Sequence, residues 1–440
     1  MNKCYALYFV TVGLLSLILT LFCGLVCGFQ YIIPSFVKSI LPFNVMRPLH
    51  TLFAVGWVVL TVTGSIYYYL DTKIKEHNQT MLHLLIFVFT GLGIAFSYIF
   101  KNFQGKEYLE FPTFFYFPII FGWILFGIRF FKSEAKSFKK WPVYKWMWAT
   151  GIVLMIYHFS EAHLLLLPYF KQHFVQNVAL QWKAGGSFVG SWNMLVYGTS
   201  IYVMSKIGQN QNYAHSKKAF FFYFLGLANL MFGWAHHIYI VPTAVWIRYF
   251  AYIISMTEWV VLISIIYDWK KSLQTTTKTS FALSYKLMLM ADFWVFLNVL
   301  LALLISIPAI NLFTHGTHIT VAHSMGTTIG INTLILLSSV TYILEKQQIL
   351  NESIIKKAKF LLNIFNVSFT LFFLCLLLMG VKKSIWIFTA NNITFTQLHE
   401  SMFWLYVLFI AFGLGLIVGL CGVVFILLKG IKIMLNLKLY

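Results

Sequence analysis

The histidines are the residues of this chain whose placement could do chemistry. There are thirteen in 440 residues, and two of them, His236 and His237, are adjacent just ahead of Pro242. Neighbours on a regular helix point about 100° apart, so these two imidazoles reach one metal only where a helix ends or loosens. A neutral pair there suits iron, copper or zinc. His323 and Met325 are separated by one residue and would point about 200° apart. A helix bearing both can stand between two flat metal cofactors, such as haems, and hold one on each side. His158 and Glu161 are spaced to share a helix face, whereas Glu161 and His163 are not.

Such groups need elements to position them, and the composition says which. The chain is 60% hydrophobic and 19% aromatic but only 10% charged, which excludes a soluble domain. Apolar stretches of roughly 20 residues cross a bilayer as helices. About twelve recur, near 7-29, 48-70, 82-100, 112-131, 145-168, 184-206, 218-239, 246-268, 288-312, 318-344, 358-380 and 402-428. The expected fold class is therefore all-α, a polytopic membrane protein. No Ser/Gly-rich linker divides it, so residues 1-440 read as a single transmembrane domain. The longest polar segments are inner loops around Lys132 to Lys140, Gly208 to Lys218, Asp268 to Thr279 and Glu345 to Lys359, with an outer loop near Lys382 to Gln397.

A net charge of +20 invites a nucleic-acid reading, but most of the 32 lysines and arginines fall in the even-numbered loops and at the termini. That is the positive-inside bias of a membrane protein, and it predicts both termini in the cytoplasm. The first apolar run, Tyr5 to Gln30, is longer than a signal-peptide core and ends without a small-residue cleavage site, so it reads as the first span. The five cysteines lie in or beside apolar spans and no Cys-x-x-Cys-His occurs, so covalently attached haem c is not expected. Cys23 and Cys27 read as small packing residues. Asn78-Gln79-Thr80 fits a glycosylation pattern but falls in a predicted inner loop.

Laid on this topology, drawn without them, the histidines gather at one depth. His50 opens span two at its outer end, His158 and His163 close span five, His236 and His237 close span seven, and His315, His318 and His323 bracket the outer start of span ten. Any one of them could be a headgroup histidine. Four distant spans bringing coordinating groups to one depth inside a bilayer is a functional pattern.

These residues resemble the haem-copper oxidase superfamily, nearest its nitric oxide reductase branch. Thr314-His-Gly-Thr-His-Ile-Thr-Val-Ala-His323 resembles the segment before the tenth-helix haem ligands. Trp234-Ala-His-His237, with Tyr239 and Pro242, resembles the histidine pair of the seventh helix. Arg47-Pro-Leu-His50 resembles the low-spin haem ligand of the second helix, and Ser255-Met-Thr-Glu258 the glutamate-bearing eighth helix. The resemblance implies a subunit I-like bundle with two b-type haems and one non-haem metal, iron or copper. It implies His323 as axial ligand of the high-spin haem and His50 as one ligand of the low-spin haem. It also implies His236 and His237 on the non-haem metal, with Glu258 handling protons.

Three positions depart from the family pattern. Met325 stands where a second histidine belongs; methionine is a competent haem ligand, so a His50/Met325 haem is expected, with a packing methionine as the other reading. Gly186, in Trp182-Lys-Ala-Gly-Gly-Ser-Phe-Val-Gly190, stands at the sixth-helix histidine position. Two imidazoles alone make a poor catalytic site, so span five is expected to supply the missing ligands from His158, Glu161 and His163, with Glu161 first and the glycines making room for its approach. A vacant or altered metal site is the alternative. Leu230 stands where oxygen-reducing relatives of the cbb type carry a tyrosine. Oxygen reduction needs a fourth electron promptly from such a phenol, and two-electron reduction of NO does not.

The implied activity is nitric oxide reduction, with Glu258 and Glu161 as candidate catalytic carboxylates. His315 and His318 would bind haem propionates or steady their loop. The alternatives are a cytochrome c oxidase-like oxygen reductase and a non-catalytic haem carrier or sensor. Electrons would come from a cytochrome subunit, a soluble cytochrome c or quinol, and the expected setting is a bacterial inner membrane.

Overall fold

The computed structural model describes residues 2-70, 77-106, 108-209, 211-237, 239, 244-272, 280-389 and 393-438, without the side chains of 2, 77, 135-137, 211, 213, 236-237, 255, 258-262, 269 and 272. Among the described residues the architecture is helical, with twelve long helices following the order of the apolar stretches. They are α1 (Asn2–Ile32), α2 (Phe43–Tyr69), α3 (His77–Ile99), α4 (Tyr116–Glu134), α5 (Val143–Ala162), α6 (Phe174–Ile207), α7 (Lys217–Phe232), α8 (Val245–Ser272), α9 (Ala282–Ser306), α10 (His318–Lys346), α11 (Glu352–Phe388) and α12 (Phe403–Asn436). Ten of them are long and apolar enough to cross a membrane among the described residues.

The boundaries depart from the apolar pattern where polarity or proline intervenes. The stretch 145-168 does not continue as one helix: α5 gives way at His163 to a 3₁₀ turn and then to a short helix opened by Pro168. α6 starts at Phe174, ten residues ahead of its apolar signal, because its first turns carry Gln176, Asn177 and Gln181. The stretch 288-312 breaks at Ile307, where Pro308 takes the first position of a new helix and so loses no hydrogen bond. Glu345, expected in a loop, belongs to the last turn of α10.

α10 is the central helix. In its most apolar window 83% of residues are buried, against 33 to 56% in the other nine spans, and it packs on α2, α6, α9, α11 and α12. Helices in lipid gain little from apolar contact alone, so polar pairs and small residues register them. Trp57 of α2 donates to Thr333 at 3.0 Å, Asn332 donates to Asn193 of α6 at 3.0 Å, and Asn298 of α9 donates to Thr327 at 2.8 Å. At the opposite end, the Glu345 carboxylate accepts from the backbone N–H groups of Leu283 and Ser284, at 2.8 and 3.1 Å. It thus satisfies the orphan donors that begin α9.

α10 is not uniform. His318–Met325 is α-helical, Gly326–Thr333 winds as a π-helix, and Leu334 resumes the α form. π segments are frequent at functional sites. His323 and Met325 both precede the wide segment, so the angle between them stays that of a regular helix.

Candidate metal centre

His50 lies two turns into α2 and packs across α1. Its Nδ1–H donates to the Thr20 backbone carbonyl at 2.9 Å, which fixes the tautomer and leaves Nε2 with its lone pair. That is the arrangement of a metal-ligating imidazole with its orienting partner. Gly24, one turn after Thr20, makes room for the ring: a Cβ there would sit 2.9 Å from the imidazole Cε1. The residues at this position fit an axial ligand to haem iron. One turn earlier, Arg47 pairs with Glu110 from the loop between α3 and α4 and ties the start of α2 to that loop.

His323 faces the α9 backbone at Asn298, and its buried Nδ1 reaches no acceptor in good hydrogen-bond geometry. Met325 is half-buried against the main apolar core. His318 has a buried Nδ1 without a partner and stands edge-on to Tyr406 of α12. His315 lies beside Trp182 of α6, and burial lowers its pKa from the usual histidine value. The loop between them is held from α11 by Lys383, which donates to the Gly316 carbonyl at 2.9 Å.

α7 ends at Phe232 and tightens into a 3₁₀ turn, Gly233–His237. The helix therefore changes its winding where the adjacent imidazoles stand; their side chains, and that of Glu258 in α8, lie outside the described residues. Tyr239 donates to the Ser306 carbonyl at 2.9 Å, and burial pushes its phenol up to about 12. Among the described residues no three His, Cys, Asp or Glu side chains form a metal-holding group.

The glycines of α6 do not make room for α5. A Cβ on Gly186 would sit 2.5 Å from Cβ of Trp234, one on Gly190 would sit 2.9 Å from Cγ of Leu230, and Gly185 faces open space. The glycines admit the end of α7 instead, and Ser187 donates to the Leu230 carbonyl at 3.0 Å. Leu230 is buried in this contact.

At the end of α5, His158 is fully buried, and its Nδ1–H donates to Glu161 at 2.9 Å. The Glu161 carboxylate also receives Lys183 from α6, a partner that the spacing of the acidic and histidine residues does not point to. His158 Nε2 is buried and meets no partner. His163 turns elsewhere: its Nδ1–H donates to Phe159 and its ring packs between Tyr116 and Phe159.

A central helix carrying His323, an α2 histidine with an oriented ring and an α7 that changes its winding at a histidine pair mark out the candidate site of a helical membrane bundle. The chain belongs to the family described as Cytochrome C and Quinol oxidase polypeptide I, whose model matches residues 4–425. It is 23% identical over 363 residues to a nitric oxide reductase chain of Stutzerimonas stutzeri, covering 75% of this chain and 73% of that one. Its fold is similar to that of a heme-copper terminal oxidase dimer solved by cryo-electron microscopy, with a TM-score of 0.73 at 15% identity, over 98% of this chain and 84% of the other. The family is one of membrane oxidoreductases that bind haems and a metal centre.

Proposed function

We propose that this chain is the catalytic subunit of a nitric oxide reductase, joining two NO molecules with two electrons and two protons to give N2O and water. The observation that carries this reading is Leu230. Where a redox phenol would serve oxygen chemistry, the chain has an aliphatic side chain wedged against Gly190, with its carbonyl tied to Ser187. The likeness to the Stutzerimonas stutzeri reductase supports it.

His50, with Met325, would hold the low-spin haem, and His323 the high-spin haem. His236 and His237 would hold the non-haem metal, with span five completing its ligands. When bound, these groups supply one-electron transfer and Lewis-acid polarisation of the substrate. The residues do the rest. Thr20 and Gly24 hold the His50 ring at one angle, and α10 stands between the two haem positions. The apolar spans around the site would favour entry of a small uncharged gas. Glu258 would relay protons, since a carboxyl in apolar surroundings holds its proton near neutrality. His315 and His318 would face the haem propionates or steady their loop. The setting that fits is a bacterial inner membrane with both termini cytoplasmic, and the donor is a cytochrome subunit, a soluble cytochrome c or quinol.

The test is anaerobic NO consumption by the purified, haem-loaded protein with an artificial electron donor, read together with N2O formation. Oxygen consumption without NO consumption overturns the reading in favour of a terminal oxidase. Binding of NO without turnover overturns it in favour of a haem carrier or sensor.

A further inference from the structure

We propose that His158, through Nε2, is the third protein ligand of the non-haem metal, with Glu161 and Lys183 as the positioning residues that aim it. This rests on the metal site assigned above to His236 and His237.

Three observations lead to it. First, α6 cannot supply a ligand at the position where the family pattern has a histidine. Trp234 already occupies that space, 2.5 Å from where a Cβ on Gly186 would lie, so the missing donor must come from a neighbouring helix.

Secondly, His158 is the α5 group with a donor atom to spare. The Glu161 carboxylate is engaged twice, by Lys183 and by His158 Nδ1. With Nδ1 turned to the carboxylate, the ring presents Nε2 on its other side. That nitrogen is sealed from solvent without a hydrogen-bond donor facing it. A buried acceptor left empty is costly, and a metal ion takes up such a lone pair. In protein metal sites a carboxylate commonly orients a ligating imidazole from the far side of its ring, as Glu161 does here.

Thirdly, the depths agree. Glu161 and Lys183 meet, which sets the register between α5 and α6. His158 lies three residues inward from Glu161, and Gly186 three residues inward from Lys183, about 4.5 Å in each case. His158 is therefore level with Gly186 and with Trp234, which stands two residues before the histidine pair.

The experiment measures the ratio of non-haem metal to haem in the purified full-length protein by elemental analysis and haem assay. It compares wild type with His158→Asn, Glu161→Gln and His236→Ala. His158→Asn keeps a donor toward Glu161 but offers no imidazole lone pair. The expected result is retention of both haems, with at least a tenfold loss of the non-haem metal in His158→Asn. Glu161→Gln should bind it about 10- to 100-fold more weakly in chelator competition. In protein reloaded with Cu(II), nitrogen couplings in the pulsed EPR spectrum should fall from three imidazoles to two in His158→Asn, a change that a merely structural role would not produce. Full metal retention and an unchanged nitrogen count in His158→Asn, with loss in His236→Ala, overturn the ligand while leaving the metal centre standing. A wild type with haem but no further metal overturns both.

Discussion

Trp234 lies so close over Gly186 that a side chain at that position would put its Cβ 2.5 Å from the tryptophan Cβ. The close approach is backbone-deep, because the atom met is itself a Cβ and cannot swing away. The end of α7 fills the volume that a sixth-helix ligand would need.

Gly186→Ala should therefore destabilise the bundle by about 1–3 kcal/mol, as overpacking does. Gly186→His, although it restores the residue type of the family pattern, should fail to raise the non-haem metal content. Thermal unfolding in detergent and elemental analysis check the two halves. A histidine variant that is stable and richer in metal would mean that α7 can retreat.

His50→Ala should abolish the low-spin haem band in the reduced-minus-oxidised spectrum while leaving the high-spin haem. Gly24→Val should weaken the same band, because its Cβ would press on the imidazole. A low-spin band of full strength in both variants would remove His50 as the ligand.

Met325→Leu keeps the volume and removes the thioether. If sulfur ligates the haem, the potential should fall and the band should shift toward a five-coordinate form, since His/Met ligation raises the potential. An unchanged spectrum would leave Met325 as core packing.

Glu258→Gln should slow NO turnover by about tenfold or more with both haems retained, consistent with loss of a proton carrier worth roughly 10²–10⁴ in favourable cases. Equal rates in single-turnover and steady-state assays of the variant and the wild type would exclude that role.

Glu345→Ala should cost about 1–3 kcal/mol in stability by leaving the Leu283 and Ser284 N–H groups buried and unpaired. Unfolding temperature in detergent measures it, and spectra of the folded variant should be unchanged because the site is at the other end of α10.

Most of the span order and the family are legible from hydropathy and from the histidine-bearing motifs, because burial in lipid imposes long apolar runs and the candidate ligands sit near helix ends. The exceptions have physical causes. α6 begins early on polar residues that find partners nearby, such as the Phe170 carbonyl, which accepts from Asn177. The π segment of α10 leaves no compositional trace, since Gly326–Thr333 reads as an ordinary small-residue stretch. Thr20 and Gly24 act on His50 through a carbonyl and an absent side chain, neither of which a motif displays. Lys183 does leave a signal: a cation just ahead of an apolar stretch, at the depth of a carboxylate closing the preceding span, is a pair waiting to be drawn. The space at Gly186 goes to α7 rather than to α5 because a glycine in sequence says only that something comes close, not which neighbour does.

The wide turn between Met325 and Leu334 separates two jobs along one rod. Within and beyond it, hydroxyl, amide and carboxylate side chains clasp the surrounding helices and set the rod's angle, whereas the candidate ligands His323 and Met325 stand before it. Removing one residue from that wide turn should swing His323 around the axis while Glu345 keeps its clasp on the start of α9. The outer end could thus be re-aimed during divergence without rebuilding the scaffold beneath it.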